Sequence, residues 1–333
     1  MKLEEYSALE KKALQRVGFF DSLLLPVEER VPLAPSKNHS SELNRKNIRL
    51  EELRQQYSAY PCAAQMHSQW DEPFTQEIDL ATFRGDSAYM WQYRDGNVPL
   101  TYIATYYHHR LSTNADLLEK CTEDGSFGPY SLTLQDNLVT RDRLDSVTEL
   151  GFLRELFSLN ERSQLRILDI GSGYGRLAWR INQCFPNIQM LCVDAVPESA
   201  FLCEYYLTYR EASPHVRMVP LPTLTTELSQ SSIDLAIAVN SLSECTAAAM
   251  EWWLDLLEAH RVPYIMLVPH AAFEGGREIY STELLGTEKV PMMPLLEQRG
   301  YKRTTIQPKY KEAAMQLYGV SPTYFHVFSR QSL

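Results

Sequence analysis

Glycine is scarce in this chain, 14 of 333 residues, and there is neither a low-complexity tract nor an internal repeat. That excludes collagen-like and repeat architectures. No apolar stretch reaches the length a membrane-spanning helix needs. Basic residues are outnumbered, 32 Lys and Arg against 42 Asp and Glu, for a net charge of −10. Binding a phosphate backbone calls for a basic surface, so no nucleic-acid partner is expected. The six cysteines, Cys62, Cys121, Cys184, Cys192, Cys203 and Cys245, form no CxxC pair. Buried, reduced thiols in a cytosolic protein are the expectation. The opening MKLEEYSALEKKALQRV is charged and amphipathic, without the apolar core of a signal peptide, so a cytoplasmic location is expected.

What remains is a globular composition, 44% hydrophobic and 22% charged, on a chain long enough for a large core. Residues 1–30 read as one or two short helices with an apolar stripe at Leu3, Tyr6, Ala13, Leu14 and Val17. Residues 31–48 are polar with two prolines and read as an exposed connection. Residues 49–127 are mixed, mostly helical, and dense in aromatics over 89–109. From about residue 144 the pattern becomes regular. DSVTELGFLRELFSL reads as an amphipathic helix with Val147, Leu150, Phe152, Leu153 and Leu156 on its apolar side. Then RILDI, IQMLCVD, VRMVPL, IDLAIAVN and YIMLVP alternate with helical runs. Near-continuous apolar strands separated by helices imply a parallel sheet covered on both faces. The last two runs, YKRTTIQPKY and TYFHVFSR, have no long helix between them and are expected to pair antiparallel at the sheet edge. The domains read as 1–143, a mainly helical cap that shapes the acceptor site or serves as a homodimerisation arm, and 144–333, a cofactor-binding α/β unit.

The stretch LRILDIGSGYGRLAWRI carries the chemistry. Gly171, Gly173 and Gly175 allow a tight turn and a close approach of backbone to ligand. A dinucleotide fingerprint is G-x-G-x-x-G, with pyrophosphate on the helix N-terminus. Here the glycines run G-S-G-Y-G, with Asp169 two residues before the first. That fits a cofactor with a nucleoside and an amino-acid tail but no phosphate, which is S-adenosyl-L-methionine. Asp169 would accept from an ammonium group. Asp194 ends the second strand, about where an acid takes ribose hydroxyls. Asp169, Gly171, Ser172, Gly173, Tyr174, Gly175, Asp194, Ala195, Leu221 and Asn240 form the candidate cofactor set. A nicotinamide oxidoreductase is the rival class, and the glycine spacing speaks against it.

The segments LDIGSGYGRLAWRI, VDAVPESAFLCEYYL, SLSECTAAAMEWWLDLL, VPYIMLVPH and PKY…YGVSPTYFHVFSR, with TRDRLDSVTELGFL upstream, resemble the sugar O-methyltransferase family of the class I, S-adenosylmethionine-dependent type. The resemblance covers about residues 85–333. It implies a seven-stranded, Rossmann-like methyltransferase fold with an antiparallel edge strand. It implies methyl transfer to a sugar hydroxyl, including one on a sugar already attached to a larger product. One departure stands out: where the family pattern has an Asn and a His before its SFSEC-like stretch, this chain has Ala238 and Asn240. Were that His the family's base, this chain would need another.

A sugar hydroxyl is a weak nucleophile, so positioning and a general base should both contribute. His270, after the fifth strand, ranks first as base on its ordinary pKa; a loop histidine bonded to backbone is the other reading. Glu244 ranks second, as base or as an acceptor orienting the sugar, or else as an acid at a helix N-terminus. Asn240 cannot be a base and would position. Trp91, Tyr106, His108 and His109 are candidates for an aromatic acceptor pocket, or for plain packing. Arg141 and Asp142 would bridge cap and cofactor, or Asp142 or Asp145 would cap a helix. His326 reads as structural. The carboxylates Asp194, Glu244 and Asp142 lack the spacing of a ligand set, so no metal is expected. The alternatives in function are a non-sugar hydroxyl or carboxylate acceptor, and a non-catalytic subunit that binds the cofactor to stabilise a partner.

Overall fold

A computed structural model describes residues 28–30, 39–67, 70–85, 89, 98–134, 136–270, 274–283 and 288–331. The expected N-terminal helices fall outside these residues as far as Val27, and so does Trp91; Glu28–Arg30 is a strand. Two compact units gather separate stretches of chain. Unit one comprises Met1–Glu42, Asp79–Leu159 and Pro308–Pro322; unit two comprises Leu43–Ile78, Asn160–Gln307 and Thr323–Leu333. The boundary expected at residue 143 falls inside one helix, Arg141–Phe157, which stays with unit one.

Unit two is built on seven strands: β1 (Arg166–Ile170), β2 (Gln189–Val193), β3 (Val216–Met218), β4 (Leu235–Val239), β5 (Tyr264–Val268), β6 (Tyr301–Pro308) and β7 (Tyr324–Arg330). Their order in the sheet is β6-β7-β5-β4-β1-β2-β3. β3, β2, β1, β4 and β5 pair in parallel, and β7 lies antiparallel to β5 with His326 opposite Leu267. The two closing runs take the sheet edge as expected, with β7 antiparallel to β5 and β6 outermost. The reason lies in the sequence. YFHVF is apolar on both sides and buried from Phe325 to Phe328, whereas β6 alternates buried or half-buried with exposed positions, as an outer strand does. His326 is buried, with Nε2 2.8 Å from the Gly276 carbonyl oxygen. The helices of this unit include α1 (Ile48–Ser58), α2 (Arg176–Cys184), α3 (Pro197–Tyr209) and α4 (Ala247–Ala259). In β1, β2, β4 and β5 four consecutive residues are buried, so both sheet faces are covered. Each Val, Leu or Ile so buried contributes about 1.5–3 kcal/mol. This is the Rossmann-like arrangement that the alternating runs predicted.

α1 was not foreseen as part of this unit. Asn47 caps it by accepting from the Arg49 amide at 2.8 Å, and Leu50, Leu53 and Tyr57 line one buried stripe. A two-stranded hairpin, Tyr280–Glu283 with Glu288–Pro291, also belongs to unit two. All six cysteines are free, and five are buried.

Unit one, expected as a mainly helical cap, holds a small sheet beside its helices among the described residues. Glu28–Arg30, Ser131–Leu134 and Asn137–Thr140 form an antiparallel three-stranded sheet. Leu134 pairs with Asn137, so the turn is two residues long, and Asp136 in it adopts φ +63°. Four helices accompany the sheet: Val98–Arg110, Ala115–Lys120, Arg141–Phe157 and Ala313–Tyr318. The third was expected to be one-sided, yet it is buried on every face from Asp142 to Leu153. Charges survive there through ion pairs and hydrogen bonds. Arg84 reaches Asp142 Oδ2 at 2.8 and 2.6 Å and both Glu123 oxygens at 3.1 and 2.6 Å. Lys309 lies 3.2 Å from Asp145 and 3.5 Å from Glu149. The helix is capped by Thr140, whose Oγ1 accepts from the Arg143 amide at 3.3 Å, and not by Asp142 or Asp145. Among the described residues no helix is long and apolar enough to cross a membrane.

Candidate active site

In unit two the chain leaves β1 at Ile170 and turns through residues 171–175 into α2. Gly171 sits at φ +68° and Gly175, which begins α2, at φ +81°. At Gly171 space is decisive as well: a Cβ would stand 2.2 Å from the Cβ of Ser241. Ser241 Oγ donates to the Ile170 carbonyl at 2.6 Å, so the exit of β4 is packed onto the loop. The Gly171 and Ser172 amides donate to the Val193 carbonyl at 2.8 and 3.1 Å. The Gly173 amide donates to Asp194 Oδ2 at 2.9 Å, and Asp194 Oδ1 accepts from the Val196 amide at 2.9 Å. One carboxylate therefore ties the glycine loop to the end of β2. Burial pushes the Asp194 carboxyl up to about 7; the Val196 and Gly173 amides oppose that, and the Glu244 charge adds to it.

The other predicted cofactor positions lie around this loop. Asp169 is buried in β1, in register with Cys192 of β2 and Ile237 of β4. Ser172 Oγ is 3.9 Å from Cys203 Sγ. The Tyr174 ring is buried edge-on against Tyr206 at 5.3 Å, and Ala195 is buried. Leu221 opens the short 3₁₀ turn after β3, and its amide donates to the Tyr57 hydroxyl at 3.2 Å.

A second cluster forms at the ends of β4 and β5. Asn240 follows β4 at φ +64°, a strained position for a residue other than glycine, and its amide donates to the Val268 carbonyl at 2.7 Å. Its side-chain amide has no hydrogen bond among the described residues. Glu244 lies one short turn later. Its Oε1 is 2.5 Å from His270 Nε2, and its Oε2 accepts from Trp70 Nε1 at 2.5 Å. The Glu244 carboxylate therefore sits between the His270 ring and the Trp70 indole. His67 pairs by backbone with Cys245, next to Glu244. Its Nε2 is buried without a hydrogen-bond partner among the described residues. Burial pushes the His67 imidazole down to about 4, against the pull of Glu244, so it is uncharged at neutral pH.

The fold is Rossmann-like, five parallel strands with an antiparallel strand beside β5. No family model matches the chain, and no curated protein matches it by sequence. Solved structures similar to it include a magnesium protoporphyrin IX methyltransferase from Synechocystis PCC 6803 with bound S-adenosylhomocysteine, at 14% identity and a TM-score of 0.39. That match covers 67% of this chain and 96% of the other. The [4+2]-cyclase SpnF is 16% identical over 57% of this chain and 82% of its own, with a TM-score of 0.38. A precorrin-6y C5,15-methyltransferase from Geobacter metallireducens GS-15 is 16% identical over 56% of this chain and 87% of its own, with a TM-score of 0.35.

The predicted acceptor-pocket residues belong to unit one. Tyr106 is buried edge-on against Tyr107, and Arg110 approaches its hydroxyl at 3.5 Å. His108 Nδ1 is 3.8 Å from Glu312, and its ring meets Tyr310 edge-on. His109 is fully buried; its Nε2 lies 3.2 Å from the Leu144 carbonyl oxygen, and burial pushes the ring down to about 3. Arg141 bonds Ser321 and approaches Asp145 at 3.4 Å, and Asp142 is the buried partner of Arg84. Sequence reasoning missed Tyr57, His67, Trp70 and Ser241. Only Tyr57 had a local signal, the i, i+3, i+7 stripe with Leu50 and Leu53. Among the described residues no group of three or more His, Cys, Asp or Glu is arranged to hold a metal ion.

Proposed function

We propose that this protein is an S-adenosylmethionine-dependent O-methyltransferase acting on a sugar hydroxyl. One observation carries the reading: the carboxyl ends of adjacent parallel strands bring the glycine loop, the buried Asp194 and the Glu244–His270 pair together in one unit. Ligands of open α/β sheets bind at those strand ends. The residues fit the cofactor. The Gly171 cradle has no room for a Cβ, and Asp194 keeps lone pairs on both oxygens for ribose hydroxyls. The bound cofactor supplies a methyl group already activated for in-line displacement.

The chain's own residues then have two tasks. The His270 imidazole takes the proton of the acceptor hydroxyl as that oxygen attacks. Glu244 fixes the ring through Nε2 and stabilises the imidazolium that results, while Trp70 holds the other carboxylate oxygen. The sugar as acceptor rests on the motif resemblance. It is supported by the unengaged Asn240 amide and the Trp70 indole near the pair, groups suited to a hydroxyl-rich ring.

The test is calorimetric titration with S-adenosylhomocysteine, with NADH as control. Micromolar binding, about −8 kcal/mol, with none to NADH is expected, and Asp194→Ala should weaken it. No binding to S-adenosylhomocysteine ends the methyltransferase reading. Turnover on glycosides but not on the deglycosylated acceptors identifies the sugar. A pH series adds a second expectation. Ribose hydroxyls donate to the ionised carboxylate, and in the ligand-free protein Asp194 holds its proton up to about pH 7. Affinity should therefore rise with pH up to about 7 and level off above it, at about tenfold per pH unit on the acid side. Asp194→Asn should bind weakly with a flattened profile; a profile unchanged from wild type would contradict the assignment.

A further inference from the structure

Tyr57 takes no part in proton transfer, yet it joins three parts of the cofactor-side framework. It lies in the last turn of α1 with 2% of its surface exposed. Its hydroxyl donates to the Asp194 carbonyl at 2.9 Å and accepts the Leu221 amide at 3.2 Å. The carboxylate of that same Asp194 holds the Gly173 amide. One phenol thus links the end of β2 to the turn after β3 and, through Asp194, to the glycine loop. Burial pushes the phenol up, so it keeps its proton and both bonds at any physiological pH. The helix that delivers it is fastened along α3: Arg54 reaches Glu198 at 3.1 and 2.8 Å, and Arg49 reaches Glu204 at 2.9 Å. Glu198 is buried and Arg54 half-buried, so the first of these pairs is partly shielded from solvent.

We propose that Tyr57 is the positioning residue for the nucleoside half of the cofactor. It fixes the spacing between the ribose-binding acid and the Leu221 turn. It also occupies the Leu221 N–H, so that a base at this strand end meets the Tyr57 phenol rather than a free backbone donor. The inference rests on the methyltransferase reading.

Fragment binding separates this role from a general loss of structure. Wild type, Tyr57→Phe and Asp169→Asn are titrated with S-adenosylhomocysteine and with adenosine. Tyr57→Phe keeps the ring but leaves a buried amide and a buried carbonyl unpaired. It should raise the Kd for both ligands by the same factor, about tenfold. Asp169→Asn, at the amino-acid end, should raise the Kd for S-adenosylhomocysteine alone. Arg54→Gln loosens α1 without touching the phenol; it should give a smaller rise for both ligands, and it decides the matter if Tyr57→Phe does not fold. An unchanged adenosine Kd in the folded Tyr57→Phe variant, or in Arg54→Gln when Tyr57→Phe is unfolded, overturns the inference and leaves the methyltransferase reading standing. A wild-type chain that binds neither ligand overturns both.

Discussion

Replacing His270 with alanine is expected to lower kcat by about 10²–10⁴-fold while the Kd for S-adenosylhomocysteine changes less than twofold. The ring is half-buried at the end of β5, with Nε2 2.5 Å from Glu244 Oε1. It bonds Glu244, beyond the end of β4, and cofactor affinity should depend on it little. Glu244→Gln should cost less than His270→Ala. The amide still fills the space but no longer stabilises the imidazolium. A His270→Ala enzyme with wild-type kcat would remove His270 from the reaction. Trp70→Phe should give a several-fold loss in kcat, because it frees Glu244 Oε2 without changing the proton acceptor.

Arg84→Ala should be the most damaging substitution for stability, at about 3–5 kcal/mol. Arg84 is fully buried and serves two carboxylates, Glu123 and Asp142, both nearly as inaccessible. Its NH1 also donates to the Ser126 carbonyl at 2.9 Å. Thr140 Oγ1 lies 2.8 Å from both carboxylates, and the Asp124 and Gly125 amides donate to Glu123 at 2.9 Å. Removing the guanidinium leaves two buried negative charges side by side, which no hydroxyl or amide can offset. Arg84→Lys should recover only part of the loss, since an ammonium cannot form the fork that bonds Glu123 through two nitrogens. With two units, a single unfolding free energy is not the right readout. Hydrogen exchange of the helix Arg141–Phe157 should accelerate strongly, while binding of S-adenosylhomocysteine by unit two reports independently. Unchanged exchange in that helix would refute the assignment of the triad.

Much of unit two was legible in the amino-acid order. RILDI, LAIAV within IDLAIAVN, and YIMLV became strands within a residue or two of where the apolar runs put them, because a strand buried on both faces must be apolar throughout. The glycine spacing likewise announced a turn that only glycine adopts without strain. Alternation could not say that TYFHVFSR would slip between β5 and β6; both closing runs read as strands, and the choice of inner position depends on which surface of the sheet is left to pair. Local patterns also misjudged the helix after residue 140. Its charges look solvent-facing in a periodicity plot, but Arg84 and Lys309, from 58 and 164 residues away, neutralise them in the interior.

The sequence by itself determined the class of fold, the glycine loop, and the two residue types, His270 and Glu244, that belong after β5 and β4. Only the tertiary structure decided that these two meet at 2.5 Å, that Trp70 closes the same carboxylate, and that Tyr57 braces Asp194 and Leu221. It also decided that Leu43–Ile78 joins the Rossmann-like unit while Pro308–Pro322 joins the other. The physical reason is range. Hydrophobic period and turn chemistry act over a few residues and specify elements. A hydrogen bond between residues 26 to 174 positions apart depends on how those elements stack, and that is set by the packing of the whole sheet.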